Sequence, residues 1–262
     1  MKQLPLEREG YRGVVEAVVL VFLFWWLATG LLLGLPRDPL GREAAAVVAS
    51  LLGGAGLGLT MIVRQDNSPR GAAIGFLAGG TLWGWVQAAL YGGWLVGPGI
   101  VRPPVPTGDR LADAMAVLHA TSWNEVASIG VLVLAAGLGT KATNRMPFWT
   151  VLLFWTAHQA ARLNIFLGVS NLDASLLPDH LSFLAAFVGP RSNTPLLWLT
   201  VLLWSGITVW LVCRARTSGS SFQRQGALLL ATLAGLAALE HALLGMPAAL
   251  PLWGPFLGHL PS

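Results

Sequence analysis

Seven long apolar runs, separated by short connectors that carry charges and helix breakers, constrain this sequence more than any other feature. An α-helix needs roughly 20 apolar residues to cross about 30 Å of hydrocarbon. Transmembrane barrel strands would instead alternate apolar and polar residues over about 10 positions. We therefore predict an all-α fold, a polytopic transmembrane helix bundle of about seven spans, with residues 1–262 as a single integral membrane domain. The predicted spans cover about 14–35, 44–63, 71–96, 112–138, 147–168, 195–213 and 226–247.

The low charge content excludes several classes of soluble protein. Charged residues make up 11% of the chain, whereas soluble globular domains carry about 25%. This composition does not suit a soluble enzyme, a disordered protein or a nucleic-acid-binding module, so the first partner that we expect is the lipid bilayer. The first apolar run, 13–35, is longer than the core of a cleaved signal peptide. Cys213 is the single cysteine, which excludes an intrachain disulfide and a cysteine-based metal site.

The positions of lysine and arginine predict an orientation. The net charge is +4, and we interpret this excess as a topology signal. With seven spans, ten basic residues lie on the N-terminal side of the membrane and six on the opposite side. Cytoplasmic loops carry the excess of Lys and Arg in membrane proteins. We therefore expect a multi-pass protein with its N-terminus in the cytoplasm and its C-terminus outside.

A polar stripe marks the fourth apolar run. Thr121, Asn124, Glu125 and Ser128 fall within about 100° of one another on a helix, whereas His119 lies about 120° from Glu125. Ionisable groups at membrane depth are costly and therefore indicate function by default. The stripe is either a buried site for a pigment, a proton or a lipid headgroup, or a hydrogen-bond cluster that only fixes helix packing.

Two further runs carry ionisable groups. On the fifth run, His158, Gln159 and Arg162 share one face, and Arg162 keeps its charge, so it needs an acceptor or a route to the interface. On the seventh run, the adjacent Glu240 and His241 point about 100° apart. They are expected to reach different neighbours, and one of them could meet Arg162.

Glycines and tryptophans inside the runs have a simpler interpretation. The small-residue pattern of 54–58 and that of 75–80 permit close approach of helices. The pair Trp25-Trp26 is typical of an interfacial belt or of helix packing.

Between the fifth and sixth runs lies a connector, 169–194, which is rich in proline and glycine. It contains a short apolar stretch, 176–188, that carries Asp179 and His180. This length favours a surface-lying or re-entrant helix over a span, so we predict a structured outer loop.

The sequence carries no phosphate-binding loop, no H-E-x-x-H motif and no G-x-S-x-G elbow. Its five histidines are widely spaced, and both lysines, Lys2 and Lys141, lie outside the runs, so a buried Schiff-base lysine is missing. Catalytic residues stay unknown and no metal ligand is assigned, although a ligand set drawn from separate helices stays open.

Residues 162–195 resemble a known family. The segment 162–172 reads R-L-N-I-F-L-G-V-S-N-L and is similar to the [KR]-L-N-x-F-L-G-V-x-N block of the photosynthetic complex assembly protein 2 family, the puhE product family. The resemblance continues, in outline, over nearly the whole chain. The other matching positions are Leu177-Pro178-Asp179-His180-Leu181, Phe183-Leu184, Arg191, Asn193, Pro195 and Leu239-Glu240-His241 before Met246-Pro247.

The chain departs from the family pattern at two places. Asn124-Glu125 stands where the family has a His-Glu pair, so only Glu125 carries over. Ser182-Phe183 stands where a charged or aromatic pair is expected.

The resemblance implies an integral membrane protein of chlorophototrophic bacteria, in the inner or the photosynthetic intracytoplasmic membrane. It implies a link to assembly of the reaction centre and core light-harvesting complex and to bacteriochlorophyll supply. Bacteriochlorophyll or a precursor is then the expected ligand. The expected partners are reaction-centre and light-harvesting subunits or other assembly factors.

Three functions follow. The first is a non-catalytic assembly factor that holds pigment or nascent subunits, in which Gly168 ends the fifth helix and Asn164, Asn171 and His180 fasten the outer loop by hydrogen bonds. The second is an enzyme acting on a tetrapyrrole or lipophilic intermediate, with Glu125, His119, His158, Glu240 and His241 as its site, and the third is a small-molecule transporter. The candidate functional surface comprises Glu125, Arg162, Asn164, Gly168, Asn171, Pro178, His180, Asn193, Glu240 and His241, with His119, Asn124 and His158 as secondary candidates.

Overall fold

The computed structural model describes residues 5–34, 39–172 and 177–246 of the protein. Within these ranges it contains α-helices and 3₁₀ helices and no strand, which confirms the predicted all-α class. Within the same ranges, 3₁₀ helices cover Pro98–Ile100 and Asp179–Phe187. The α-helices are α1 (Pro5–Gly34), α2 (Pro39–Ile62), α3 (Pro69–Tyr91), α4 (Arg110–Ala120), α5 (Ser122–Gly139), α6 (Met146–Leu167), α7 (Pro195–Thr217) and α8 (Ser221–Gly245).

Six of the described helices, α1, α2, α3, α5, α7 and α8, are long and apolar enough to cross a membrane, as expected of a multi-pass membrane protein. The remaining predicted span, the fifth (147–168), corresponds to α6, which has 22 residues but is less apolar because it carries His158, Gln159, Arg162 and Asn164. Its first turn lies against Gly75 and Gly79 of α3, and its last turns reach the start of α7. The orientation of the bundle stays a prediction.

The bundle has two different ends. The short-loop end carries the connectors 63–68, 140–145 and 218–220, and the long-loop end carries 92–109 and the described parts of the long connector, 168–172 and 177–194. At the long-loop end the 3₁₀ helix Asp179–Phe187 stands where the sequence predicts a short surface-lying helix. Leu181 of this helix is buried with Leu90 and Val96, so the long connector is packed onto the bundle.

The predicted span 112–138 is wrong as a single helix, because the structure divides it at Thr121 into α4 and α5. The connector after α3 packs into this break. The backbone N–H of Asn124 donates to Val96 O over 3.1 Å. A Cβ added to Gly97 would lie 2.4 Å from Ala120 O. Angles counted along one continuous helix therefore do not relate His119 to Glu125.

Small residues let the helices around α3 approach closely, as the sequence predicts. A Cβ on Gly79 would lie 2.5 Å from Pro147 O of α6, and one on Gly56 would lie 2.3 Å from Thr81 Oγ1 of α3. Gly54 and Gly58, by contrast, face open space. A core of residues from α1, α3, α6 and α8 then closes around Phe76, which is fully buried.

Candidate functional site

An ion pair joins α5 to α6 near the long-loop end. Arg162 donates to Glu125 Oε1, Gln159 Nε2 donates to Glu125 Oε2 over 2.9 Å, and Arg162 also donates to Thr121 Oγ1 over 3.2 Å. The side chains of Arg162 and Glu125 keep only 25% and 17% of their exposure. Glu125 lies in the first turn of α5, where the helix dipole favours a negative charge. The partner of Arg162 is thus Glu125, and the alternative that it meets Glu240 or His241 is wrong.

Asn124 acts as a bridge between α5 and α3. It is 1% exposed, and its Nδ2 donates to Val86 O over 3.0 Å. Ser128 Oγ donates to Asn124 O over 2.8 Å. The polar stripe of the fourth run therefore divides, since Asn124 is bonded to α3 whereas Glu125 is paired with α6.

Two asparagines of the long connector bind the free carbonyls at the end of α8. Asn171 donates from its backbone N–H to Leu244 O and from Nδ2 to Leu243 O, both over 2.9 Å. Asn193 Nδ2 donates to Gly245 O over 2.8 Å. The last carbonyls of a helix have no partner within the helix. The connector therefore caps α8 from outside.

Three further contacts order the connector, and the last of them, at His180, joins it to α3. Gly168 ends α6 with φ 130°, and a Cβ there would lie 2.7 Å from Pro190 O. Pro178 O accepts from Leu181 N over 2.8 Å at the start of the 3₁₀ helix. His180 Nε2 lies 2.9 Å from Leu90 O of α3.

Asn164 does not bind the connector, in contrast to its predicted role. It is fully buried, and its Nδ2 donates to Thr200 Oγ1 of α7 over 3.0 Å and to Ala160 O over 2.9 Å. It therefore joins α6 to α7 inside the bundle.

Glu240 and His241 point to different neighbours, as their spacing predicts. Glu240 is exposed on the surface of the bundle and accepts a hydrogen bond from Trp25 Nε1 of α1. His241 is 1% exposed, with Nδ1 2.7 Å from Ala237 O and its ring beside Trp204 of α7. Neither residue reaches the ion pair of α5 and α6.

The five residues of the enzyme hypothesis have separate surroundings. His119 is exposed on α4, and the ring of His158 lies 5.5 Å from that of Trp83. Glu125, Glu240 and His241 have the partners given above. Among the residues that the structure describes, no group of three or more His, Cys, Asp or Glu is placed to hold a metal ion.

Sequence reasoning missed two partners in this region. Thr200, the partner of Asn164, lies in an apolar run and carries no signal of its own. Trp25, the partner of Glu240, does carry one, because a buried indole N–H usually has an acceptor. Trp25 is 7% exposed, although the sequence pattern favours an interfacial belt or helix packing for it.

These features define a polytopic helical membrane protein whose polar groups mostly tie its helices and its long connector together. The chain belongs to the DUF3623 family, described as proteins of unknown function, which matches residues 12–258. It is 31% identical over 246 residues to a Rhodobacter capsulatus protein described as an uncharacterized 30.4 kDa protein in the puhA 5′ region. That alignment covers 88% of this chain and 85% of the relative. No solved structure matches the chain.

Proposed function

We propose that this protein is an integral membrane assembly factor for the bacterial photosynthetic reaction centre and core light-harvesting complex. Two observations favour this biological setting. The relative from Rhodobacter capsulatus is described by its position 5′ of puhA, a photosynthesis gene region. The segment 162–195 also resembles the photosynthetic complex assembly protein 2 family.

The observation that carries a molecular role is the position of Glu240. Two other described acidic residues lie inside candidate spans near the long-loop end. Glu125 is paired with Arg162, and Glu43 lies close to the start of α2. Glu240 instead faces outward from α8. Within the described part of the chain its carboxylate has one hydrogen-bond donor, Trp25, and no cationic partner.

An outward carboxyl group within a span is costly beside lipid and becomes favourable when another helix supplies a donor. We infer that the surface around Glu240 and Trp25 binds a transmembrane helix of a nascent subunit. The binding group on that helix is a Lys, Arg or His side chain at the same depth. The protein thus holds the subunit in the bilayer until the subunit meets its own partners.

Two buried histidines, His158 and His241, do not fit as ligands of a resident bacteriochlorophyll. A neutral imidazole nitrogen is a suitable ligand for a metal, and Nε2 of His158 and Nε2 of His241 lack hydrogen-bond partners. Both atoms are enclosed by protein, and the two rings lie beside Trp83 and Trp204. We therefore assign neither histidine to a pigment, and the proposal concerns subunits.

Deletion of the gene in the source bacterium tests the function. We expect less assembled core complex and more free pigment, measured by absorption of sucrose-gradient fractions. Unchanged amounts of both would refute an assembly role. Complementation then tests the site: Glu240→Gln should restore assembly poorly, whereas the matched control Glu43→Gln, which removes an exposed carboxylate of α2, should restore it fully. Full rescue by Glu240→Gln at wild-type protein level would refute the role of Glu240.

A further inference from the structure

An open groove of about 800 Å³ lies at the short-loop end, between α1, α3 and the start of α8. Its apolar wall is formed mainly by Val15, Val19 and Leu23 of α1, with Ala73 of α3 opposite. Eight residues of helix separate Val15 from Leu23, or about 12 Å along the axis. One leaflet of the hydrocarbon core is about 15 Å thick, so the wall has the length of most of an acyl chain.

The end of the groove is polar. Gln225 of α8 lines it and is only 8% exposed. Its side-chain amide makes no hydrogen bond within the part of the chain that the structure describes. Its amide atoms are not fully enclosed by protein, so a polar group in the groove can take the place of the water that they otherwise bind. The amide is therefore available to a polar group inside the groove.

Arg70 gives this polar end a positive charge. It lines the groove in the first turn of α3, which contains no acidic residue. The other charged residue of the lining, Glu16, is already paired with Arg12 over 2.7 Å. Asp66 is near enough to attract Arg70 but forms no ion pair with it. The carboxylate of Asp66 instead accepts a hydrogen bond from Ser68 N over 2.8 Å. Arg70 thus makes no ion pair with a described carboxylate.

We propose that this groove binds one phospholipid with an anionic headgroup. Its acyl chain lies along α1 between Val15 and Leu23, its phosphate lies at Arg70, and the Gln225 amide bonds to its ester or phosphate oxygens. The order of the groove, apolar along its length and cationic at one end, matches that of such a lipid. Because the groove is open to the side, the chain enters from the bilayer. This inference does not depend on the proposed function.

Native mass spectrometry of the purified full-length protein tests the site, with phosphatidylglycerol and phosphatidylcholine of identical chains as probes. We expect one phosphatidylglycerol to bind more tightly than phosphatidylcholine. Arg70→Gln should weaken phosphatidylglycerol binding about five- to tenfold. The matched control Arg224→Gln, which removes the same charge at the same end but outside the groove, should change it less than twofold.

Two further measurements separate the sources of binding. Ala73→Leu narrows the groove and should weaken the binding of both lipids. Glycerol 3-phosphate, which has no acyl chain, should not compete with phosphatidylglycerol. Equal binding of the two lipids to the wild-type protein, equal loss in the two arginine variants, or full competition by glycerol 3-phosphate would each overturn the proposal. The thermal midpoint of each variant is compared with that of the wild type to show that the variant is folded. If Arg70→Gln or Ala73→Leu does not fold, Gln225→Leu takes its place as the variant that should weaken lipid binding.

Discussion

Arg162 on α6 is paired with Glu125 in the first turn of α5, and Gln159, one turn before Arg162, donates to the second carboxylate oxygen. The pair links two consecutive helices within the span region. Each charge offsets the cost of placing the other away from water. The arrangement accounts for a basic and an acidic residue in otherwise apolar helices without invoking a ligand.

Breaking one half of this pair should cost more than removing both halves. We expect Glu125→Gln to lower the free energy of unfolding by about 1–3 kcal/mol, less than for a fully buried pair because both side chains keep some exposure. The double variant Glu125→Gln with Arg162→Gln should recover part of this loss. Thermal unfolding in one detergent measures the wild type, the single variants Glu125→Gln and Arg162→Gln, and the double variant. Strictly additive losses would contradict the coupling.

The asparagine caps on α8 should hold the long connector in place. Asn193→Ala removes the donor to Gly245 O and the acceptor for Ser170 N, so we expect a loss of about 1–2 kcal/mol and faster tryptic cleavage at the exposed Arg191. Asn193→Asp keeps the acceptor but places a negative charge at a helix C-terminus, so it should not rescue the connector. Cleavage at the wild-type rate in both variants would show that the caps are dispensable.

Gly168 should tolerate no side chain. With φ 130° and Pro190 O 2.7 Å from a Cβ, Gly168→Ala should destabilise the protein by about 1–3 kcal/mol. Gly206→Ala on α7 is the matched control, because its Cβ would meet no atom within 4 Å. The control should be neutral or stabilising by up to about 1 kcal/mol, since alanine favours helix. Equal thermal midpoints of the two variants would be the contrary result.

The start of α4 should loosen in acid. Hydrogen bonds from the Thr107 backbone, the Thr107 hydroxyl and the Gly108 backbone lower the pKa of Asp113 below its usual value of 3.8. A lowered folded-state pKa means that the stabilisation is complete above the unfolded value and is lost as the pH falls through the folded value. Amide exchange of 101–113 should therefore rise relative to other connectors as the pH is taken below about 4. Asp113→Asn should exchange faster at neutral pH and show no such added rise.

The position of α6 across the membrane can be tested by cysteine labelling. In a Cys213→Ser background, Thr143→Cys and Ser192→Cys place single exposed thiols before and after α6. If α6 crosses and the N-terminus is cytoplasmic, a membrane-impermeant maleimide labels Thr143→Cys only in inverted vesicles and Ser192→Cys only in right-side-out vesicles. Labelling of both from one side would remove α6 from the spans.

Sequence reasoning identifies most of the residues of the site but few of the pairs that they form. Helical spacing places Gln159 and Arg162 on one face and Thr121 and Glu125 on another, because neighbours three or four apart share a face. It cannot show that these two faces meet. The division of the fourth run was hidden for a related reason, since the break at Thr121 depends on the connector at Val96 and Gly97, about 25 positions earlier.

The sequence by itself determined the class of protein. Runs of apolar residues long enough to cross hydrocarbon leave a helix bundle as the stable arrangement, because backbone polar groups in lipid must bond within the helix. Local chemistry likewise predicted that Gly168 ends α6. Only the tertiary structure decided that Arg162 meets Glu125, that Asn171 and Asn193 cap α8, and that Glu240 faces outward. These contacts join residues distant in sequence, and the geometry of helix packing, which no local pattern encodes, decides which side chains lie within hydrogen-bond distance.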